Sequence, residues 1–404
     1  MKVAIIGGGA AGFFAALNVK ENHPAAQVVI FEKSSHPLAK VKVSGGGRCN
    51  VTNACRTLKE LCAAYPRGAN SLKKAFREFD NHALMRWFEA RNLALVTQED
   101  NCVFPRSQNS QTIIDCFLEE AARLQIRIET ACPVTGIRPL GDELQLSFSD
   151  ARRKPATFAK VIVATGGAPR RNDLAWLEQV GHRIIPPVPS LFSFSMPREK
   201  ITTLMGVVVD PVQVALQGTG FKAAGPLLIT HWGMSGPAIL KLSAFGARWL
   251  SEQNYHGRLQ VNWAAQRNQE RVAEQLSAGL AEQPKKLLSN VNPCSLPDRL
   301  WRYLLDKAAI SSSKKCAELG KTDQNRLLNL LTNDCYEIAG RTSFKEEFVT
   351  CGGVSLNDID IASMQSKVCK NLYFAGEVLD IDGITGGFNF QAAWTTAFIA
   401  ARLR

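Results

Sequence analysis

The sequence predicts a mixed α/β protein. Its main domain, a parallel sheet with flanking helices, is split in two by an inserted β-barrel-like domain and a helical subdomain. Three observations predict this. An apolar strand runs into a glycine turn and a helix at the N-terminus. A second strand, residues 372–375, runs into a glycine-rich loop and a helix at the C-terminus. Between them, Pro186, Pro187 and Pro189 form a stiff boundary that opens a stretch of alternating apolar and polar residues. The expected bounds are 1–189 and 347–404 for the split domain. They are 190–261 with 333–346 for the barrel, and 262–332 for the helical part.

The chain of 404 residues is long enough for two to three domains, and its 46% hydrophobic and 21% charged composition is ordinary globular usage. Disorder, collagen and coiled coil are excluded. Eleven cysteines without a Cys-x-x-Cys pair point to reduced thiols and a cytoplasmic setting. The balance of 48 basic and 36 acidic residues gives a net charge of +12, spread without long runs. That is the pattern of a solvated basic surface. No uncharged apolar run reaches the ~18 residues of a membrane span. The stretch after Lys2 has the outline of a signal peptide, but its glycines and the strand that follows favour a fold element.

Val3, Ala4, Ile5 and Ile6 read as a buried parallel strand. The next residues place G-x-G-x-x-G on Gly7, Gly9 and Gly12, and Phe13, Leu17 and Val19 begin a helix. Gly7 permits the tight turn, Gly9 lets backbone approach a pyrophosphate, and Gly12 lets the helix pack closely. Ala10 and Ala11 open the helix, whose N–H groups and positive end suit phosphates. A second apolar run, residues 28–31, ends at Glu32 and Lys33. Glu32, twenty residues beyond Gly12, can accept hydrogen bonds from ribose hydroxyls and would repel the 2′-phosphate of NADP. Strand, glycines, helix, strand and acid together define a Rossmann-like dinucleotide site.

The next segment decides between dinucleotides. Residues 44–53, SGGGRCNVTN, form a second glycine-rich loop in place of another helix and strand. Gly45, Gly46, Arg48, Cys49, Asn50 and Asn53, with Lys40 and Lys42 nearby, supply N–H groups and cations suited to a long, bent anion such as FAD. Ile113, Ile114, Phe117, Leu118, Ala121 and Leu124 recur at helical spacing and read as core, while Val134 after them, like Lys33, is a cofactor-binding candidate. Residues 161–167 form another strand with a glycine turn that brings Ala164, Thr165 and Gly166 past the adenosine end. In the tail, Gly376 and Glu377 end a strand. Glu377, or Asp380, is placed against the ribitol or phosphates. The final helix shows Phe390, Ala393, Trp394, Ala397, Phe398 and Ala401 on one face. Its N-terminus, at Gly387, Phe388, Asn389 and Gln391, would point at the flavin ring. A positive helix end there stabilises the anion formed on reduction, by roughly 0.3–1 kcal/mol when exposed.

These residues carry a resemblance. The chain resembles the HI0933-like flavoproteins, within the two-dinucleotide-fold superfamily typified by glutathione reductase. The motifs are the first glycine turn, SGGGRCNVTN, ATGG (164–167), THWGMSGPAIL (230–240), TCGGV (350–354) and AGEVLDIDGITGGFNFQAAW (375–394). The resemblance implies noncovalent FAD with its ring between residues 44–53 and the last helix. It also implies a barrel with a helical subdomain. Glutathione reductase relatives carry a second nucleotide turn and a redox Cys-x-x-Cys; this chain has neither.

In the insertion, Phe192, Phe194 and Met196 alternate with Ser193 and Ser195, and residues 207–209, 212–216 and 227–229 are strand candidates. Helices are expected near 266–280, 297–309 and 322–331, then a strand near 336–340. The six histidines are isolated, so no metal site is expected. His231, in the glycine-rich residues 230–236, is the candidate catalytic proton donor, with a structural barrel corner as the alternative. Cys49 reads as packing more than as a thiol reagent, and Thr350 to Gly353 as a tight turn.

The leading expectation is an FAD-dependent oxidoreductase of a small organic substrate, with hydride transfer at flavin N5. NADH or NADPH would serve as possible external donor for reduction of an activated C=C bond. An amine oxidase using oxygen is the alternative chemistry. A flavin-dependent RNA-modifying protein and a non-enzymatic flavin-binding protein are the other readings. No basic stripe with interleaved aromatics is visible, so neither nucleic acid nor membrane is expected as a partner.

Overall fold

The structure, a computed structural model, describes residues 1–342 and 349–404. The expected boundary at 346–347 lies outside the described residues. The chain divides into two compact units, residues 1–189 with 349–404, and residues 190–348.

The first unit is built on a seven-stranded sheet. Its order is Ile359–Asp360, Gln365–Ser366, Leu372–Phe374, Lys160–Val163, Lys2–Ile6, Gln27–Phe31 and Arg127–Glu129. The last five run parallel, with Ile6 beside both Val163 and Phe31, and Val163 beside Phe374. The C-terminal strand is thus separated from the N-terminal strand by Lys160–Val163 alone. Val3, Ala4 and Ile5 are fully buried, which explains an apolar run without alternation. Helix Gln111–Arg123 buries Ile113, Ile114, Phe117 and Ala121, while Leu118 of the expected stripe is exposed.

Helices Ala10–Asn22 and Phe388–Ala400 meet through aromatic rings: Phe14 lies 5.3 Å from Trp394 and 4.6 Å from Trp87. Such pairs contribute about 0.5–1.5 kcal/mol each beyond area burial. The final helix differs from expectation. It is not apolar on one face but buried nearly all round, Gln391, Thr395 and Thr396 included. Its polar groups have partners inside: Thr395 Oγ1 donates to the Phe79 carbonyl, and Thr396 Oγ1 accepts from Gly376 N.

Residues 350–353 also depart from expectation. They belong to a strand, Val349–Val354, paired with Ile184–Ser190, and do not form a tight turn. A Cβ at Gly352 would lie 2.6 Å from the Pro186 carbonyl, and one at Gly353 2.4 Å from that of Val378. These glycines serve close backbone approach. The prolines of 186–189 therefore sit in a strand, not in a bare linker.

The second unit carries a seven-stranded antiparallel sheet. The order is Asp334–Ile338, Gly257–Asn262, Val208–Leu216, Lys222–Thr230, Gly233–Ser235, Phe194–Ser195 and Gly340–Arg341. Its two edge strands are one stretch of chain interrupted at Ala339, whose N–H donates to the Ser195 carbonyl. The sheet therefore curls until its ends are joined covalently, which is barrel-like. Helices Gln269–Ala281, Asp298–Lys307 and Lys321–Asn333 bury the stripes Val272, Leu276, Leu280; Leu300, Trp301, Leu304; and Leu327, Leu331. Helix Pro237–Phe245 was not foreseen, although Gly236 at φ +91° followed by Pro237 at its first position is a start signal. Among the described residues no helix is long and apolar enough to cross a membrane.

Asp334 is fully buried and accepts from Lys307 Nζ (2.5 Å), Trp263 Nε1 (3.0 Å) and the Tyr336 hydroxyl. Asp334→Ala strands a cation and two donors, and should destabilise the protein by about 3–5 kcal/mol in urea melts. His182 is buried beside Phe374, its ring nitrogens at Ser366 Oγ (2.8 Å) and the Leu177 carbonyl (3.3 Å). Burial pushes its pKa down, so the folded state keeps it neutral while the unfolded chain takes up a proton. Its contribution is complete above about pH 6.5 and is lost as pH falls below that value. Urea melts at successive pH values should show this loss, and His182→Gln should flatten it.

Candidate functional site

The first glycine turn divides its duties as steric contacts dictate. Gly7 has φ +110°, and a Cβ on it would lie 2.3 Å from the Ala164 carbonyl. A Cβ on Gly12 would lie 1.9 Å from the Gly7 carbonyl. Both positions therefore exclude side chains by packing. At Gly9 an added Cβ meets nothing within 4 Å. Its face is open, as the approach of a pyrophosphate to the start of helix Ala10–Asn22 requires. Ala10 and Ala11 form that first turn, and a Cβ at Gly376 would come within 2.9 Å of Ala11 Cβ.

Beside the turn is a cavity of about 150 Å³. Glu32, Lys33, Val134, Thr165 and Gly166, five residues expected to bind the cofactor, line it together. Trp176 and Pro133 also line it and were not foreseen. The Glu32 carboxylate is held in place, Oε2 accepting from Gly8 N (2.7 Å) and Oε1 from Ser34 N (2.8 Å) and Oγ (2.7 Å). Oε2, which accepts one bond, keeps lone-pair capacity for a ribose hydroxyl.

The second loop begins inside helix Ala39–Gly47, which loses helical geometry at Ser44. Gly45, Gly46 and Gly47 follow at φ +56°, +69° and +82°, and added Cβ atoms on Gly46 and Gly47 meet nothing within 4 Å. The Arg48 guanidinium lies 4.3 Å from the Phe104 ring centroid and donates to the Gly45 carbonyl and Gln108 Oε1. Cys49 is buried, and burial pushes its thiol up to about 12. It is a packing group and not a nucleophile.

This loop meets the C-terminal segment. Asn53 Nδ2 donates to the Gly386 carbonyl (3.2 Å). A Cβ on Gly387, at φ +88°, would lie 2.5 Å from the Thr52 carbonyl and 2.8 Å from Asn50 Oδ1. Asn50 Oδ1 is buried without a hydrogen-bond partner among the described residues. Open glycine faces and an orphaned acceptor where loop and final helix converge fit a bound FAD.

Some expected ligand groups are committed elsewhere. Glu377 accepts from Lys40 Nζ (3.0 Å) and Thr350 N (2.9 Å), which joins Lys40 to the tail. Asn389 clamps Gly383 through its N–H (2.8 Å) and C=O (2.9 Å). Gln391 contradicts the expectation of a cofactor contact: fully buried, it accepts from Thr52 Oγ1 (2.6 Å) and donates to Thr395 Oγ1 (3.0 Å). Its N–H is spent on the Gly387 carbonyl. One turn into the helix the side chain is already inside the core, which the local sequence does not reveal.

The supports of the tail loop were missed. Arg67 Nε donates to Asp382 Oδ1 (2.6 Å), with Asp382 fully buried. Tyr65 donates its hydroxyl proton to the Phe388 carbonyl (2.6 Å). No local spacing links residues so far apart in sequence. His231 lies in the second unit, exposed at the turn between Lys222–Thr230 and Gly233–Ser235, with its ring edge-on to Trp232.

A split parallel sheet whose two chain ends meet at an open phosphate turn defines a class: an FAD-dependent oxidoreductase of Rossmann-like fold. Within that class the chain belongs to the family described as HI0933-like protein Rossmann domain, matched over residues 1–403. It is 26% identical over 409 residues to the 3-dehydro-bile acid delta(4,6)-reductase of Clostridium scindens, covering 99% of this chain and 98% of that one. It is 28% identical over 416 residues to the ribosomal RNA dihydrouridine synthase of Escherichia coli, covering 98% and 96%. Among solved structures, 3-ketosteroid delta1-dehydrogenase from Sterolibacterium denitrificans shares the fold, with a TM-score of 0.52 at 11% identity over 99% and 98% of the two chains.

Gly9→Val tests the cradle without disturbing packing, because the added side chain enters open space. The variant should fold normally and bind FAD about tenfold or more weakly, read from flavin content after purification. Full FAD occupancy would contradict the assignment.

Proposed function

We propose that this protein reduces a carbon–carbon double bond conjugated to a carbonyl in a small organic substrate, using NADH or NADPH as donor. The observation that carries this reading is the full-length similarity to two kinds of enzyme with one chemistry in common. A delta(4,6)-reductase saturates C=C bonds, and a dihydrouridine synthase yields a uracil ring saturated at a C=C bond beside a carbonyl. This favours the reductive chemistry over amine oxidation.

Bound FAD would supply two-electron transfer through its ring. The chain's residues hold and tune it. Glu32 and the cavity with Trp176 would hold the adenosine, and the open faces of Gly9, Gly46 and Gly47 would leave room for the phosphates. The start of helix Phe388–Ala400 favours negative charge at the ring. Arg67, Asp382, Tyr65 and Asn389 fix the loop before that helix, so the helix end needs no rearrangement during the reaction. His231 is the proposed proton donor to the substrate.

Anaerobic mixing with NADH or NADPH should bleach the flavin, and addition of a conjugated enone should restore its colour. If neither nucleotide bleaches it, the reading fails. His231→Gln should lower enone turnover by roughly a hundredfold while leaving flavin content and bleaching by the donor unchanged. Equal turnover would remove His231 from the mechanism.

A second reading places the double bond in a uridine of RNA. It is favoured by the two ribosomal RNA dihydrouridine synthases among the relatives and by the +12 charge. Under this reading the protein is retained on RNA with strong salt dependence.

A further inference from the structure

The sequence shows no continuous basic run, yet the fold assembles one beside the tail loop. Helices Leu58–Ala63 and Ala69–Ala75 turn Leu61, Leu72, Ala75 and Phe76 inward, all buried. Lys59, Lys73, Lys74 and Arg77 are left exposed on the outer side. The two helices pack against each other.

The local acids are otherwise engaged. Glu60 closes a capping box on Arg56 N and Thr57 N, Glu78 pairs with Arg402, and Asp80 caps the next helix at Ala83 N. Among the described residues, no carboxylate lies within ion-pair distance of the four cations. This segment also braces the loop before the final helix. Besides Arg67 with Asp382 and Tyr65 with Phe388, a Cβ on Gly68 would lie 2.7 Å from Ile381. One segment, residues 58–77, therefore carries both the four cations and the contacts that hold the loop assigned to the flavin ring.

We propose that Lys59, Lys73, Lys74 and Arg77 bind the phosphodiester backbone of a single-stranded RNA and deliver one of its bases to the flavin end of the site. The proposal rests on the RNA reading above. Unpaired cations on an ordered surface release counterions from a polyanion without first breaking a salt bridge. A competing group in the second unit, Lys285, Lys286, Lys314 and Lys315, is brought together by the pairing of Leu287 with Lys315, but Lys314 is already paired with Asp323 at 2.9 Å.

The test uses the FAD-loaded full chain and a fluorescent uridine oligonucleotide, with affinity measured between about 50 and 200 mM salt. Replacing all four residues by Gln should weaken binding at least tenfold at low salt. It should lower the slope of log affinity against log salt by roughly 3, at about 0.7 per lost phosphate contact. Lys74→Glu alone should shift the slope in the same direction. Flavin content and bleaching by NADH or NADPH should not change, which reports intact folding. If the wild type binds but the quadruple variant keeps its slope, or if the Lys285, Lys286, Lys314 and Lys315 to Gln variant loses it instead, the assignment of this face is wrong. If the wild type shows no retention even at low salt, the RNA reading itself falls, while the reductase reading stands on its own donor test.

Discussion

The site depends on one constraint: backbone must approach backbone at the carboxyl ends of three parallel strands. Lys160–Val163 lies between the first strand and Leu372–Phe374. Where these strands end, the Ala164 carbonyl approaches Gly7 and Gly376 packs on Ala11; further along the tail, Gly387 packs on Thr52. A side chain at any of these glycines would push the segments apart. The cradle is therefore a consequence of sheet order combined with missing Cβ atoms. Ligand sites at the carboxyl ends of parallel strands follow the same geometry in open α/β sheets.

Around that frame, polar groups fall into two sets. Glu377, Asn389, Gln391, Arg67 and Asp382 are satisfied within the protein and make the loops rigid. The faces of Gly9, Gly46 and Gly47 and the acceptor Asn50 Oδ1 are left over. Buried polar atoms are rarely left unpaired in a folded protein, so the orphan at the junction of two glycine loops is a candidate contact for the cofactor. Preorganisation by the first set gives the second its fixed geometry.

Much of this was legible in the sequence because the chemistry is local. Gly7, Gly9, Gly12 and Glu32 sit in one strand-turn-helix-strand unit, and residues 44–53 announce themselves by three consecutive glycines. The misreadings share a physical origin. The last helix looked amphipathic because Gln391, Thr395 and Thr396 are polar, yet each is paired in the core. The glycines at 352–353 looked like a turn, because composition cannot separate a turn from a strand packed tightly between neighbouring backbones. The Arg67–Asp382 pair and the basic face of residues 59–77 join residues through tertiary packing, which leaves no periodic trace.

The central claim is that both ends of the chain form one cradle for FAD. It is tested most directly by a crystal structure of the protein grown with FAD. The account predicts the pyrophosphate over Gly9, the adenosine between Glu32 and Trp176, and the flavin ring at Gly387 with Asn50 Oδ1 hydrogen-bonded. FAD bound elsewhere, or the Gly9, Gly46 and Gly47 faces filled by protein side chains, would contradict it.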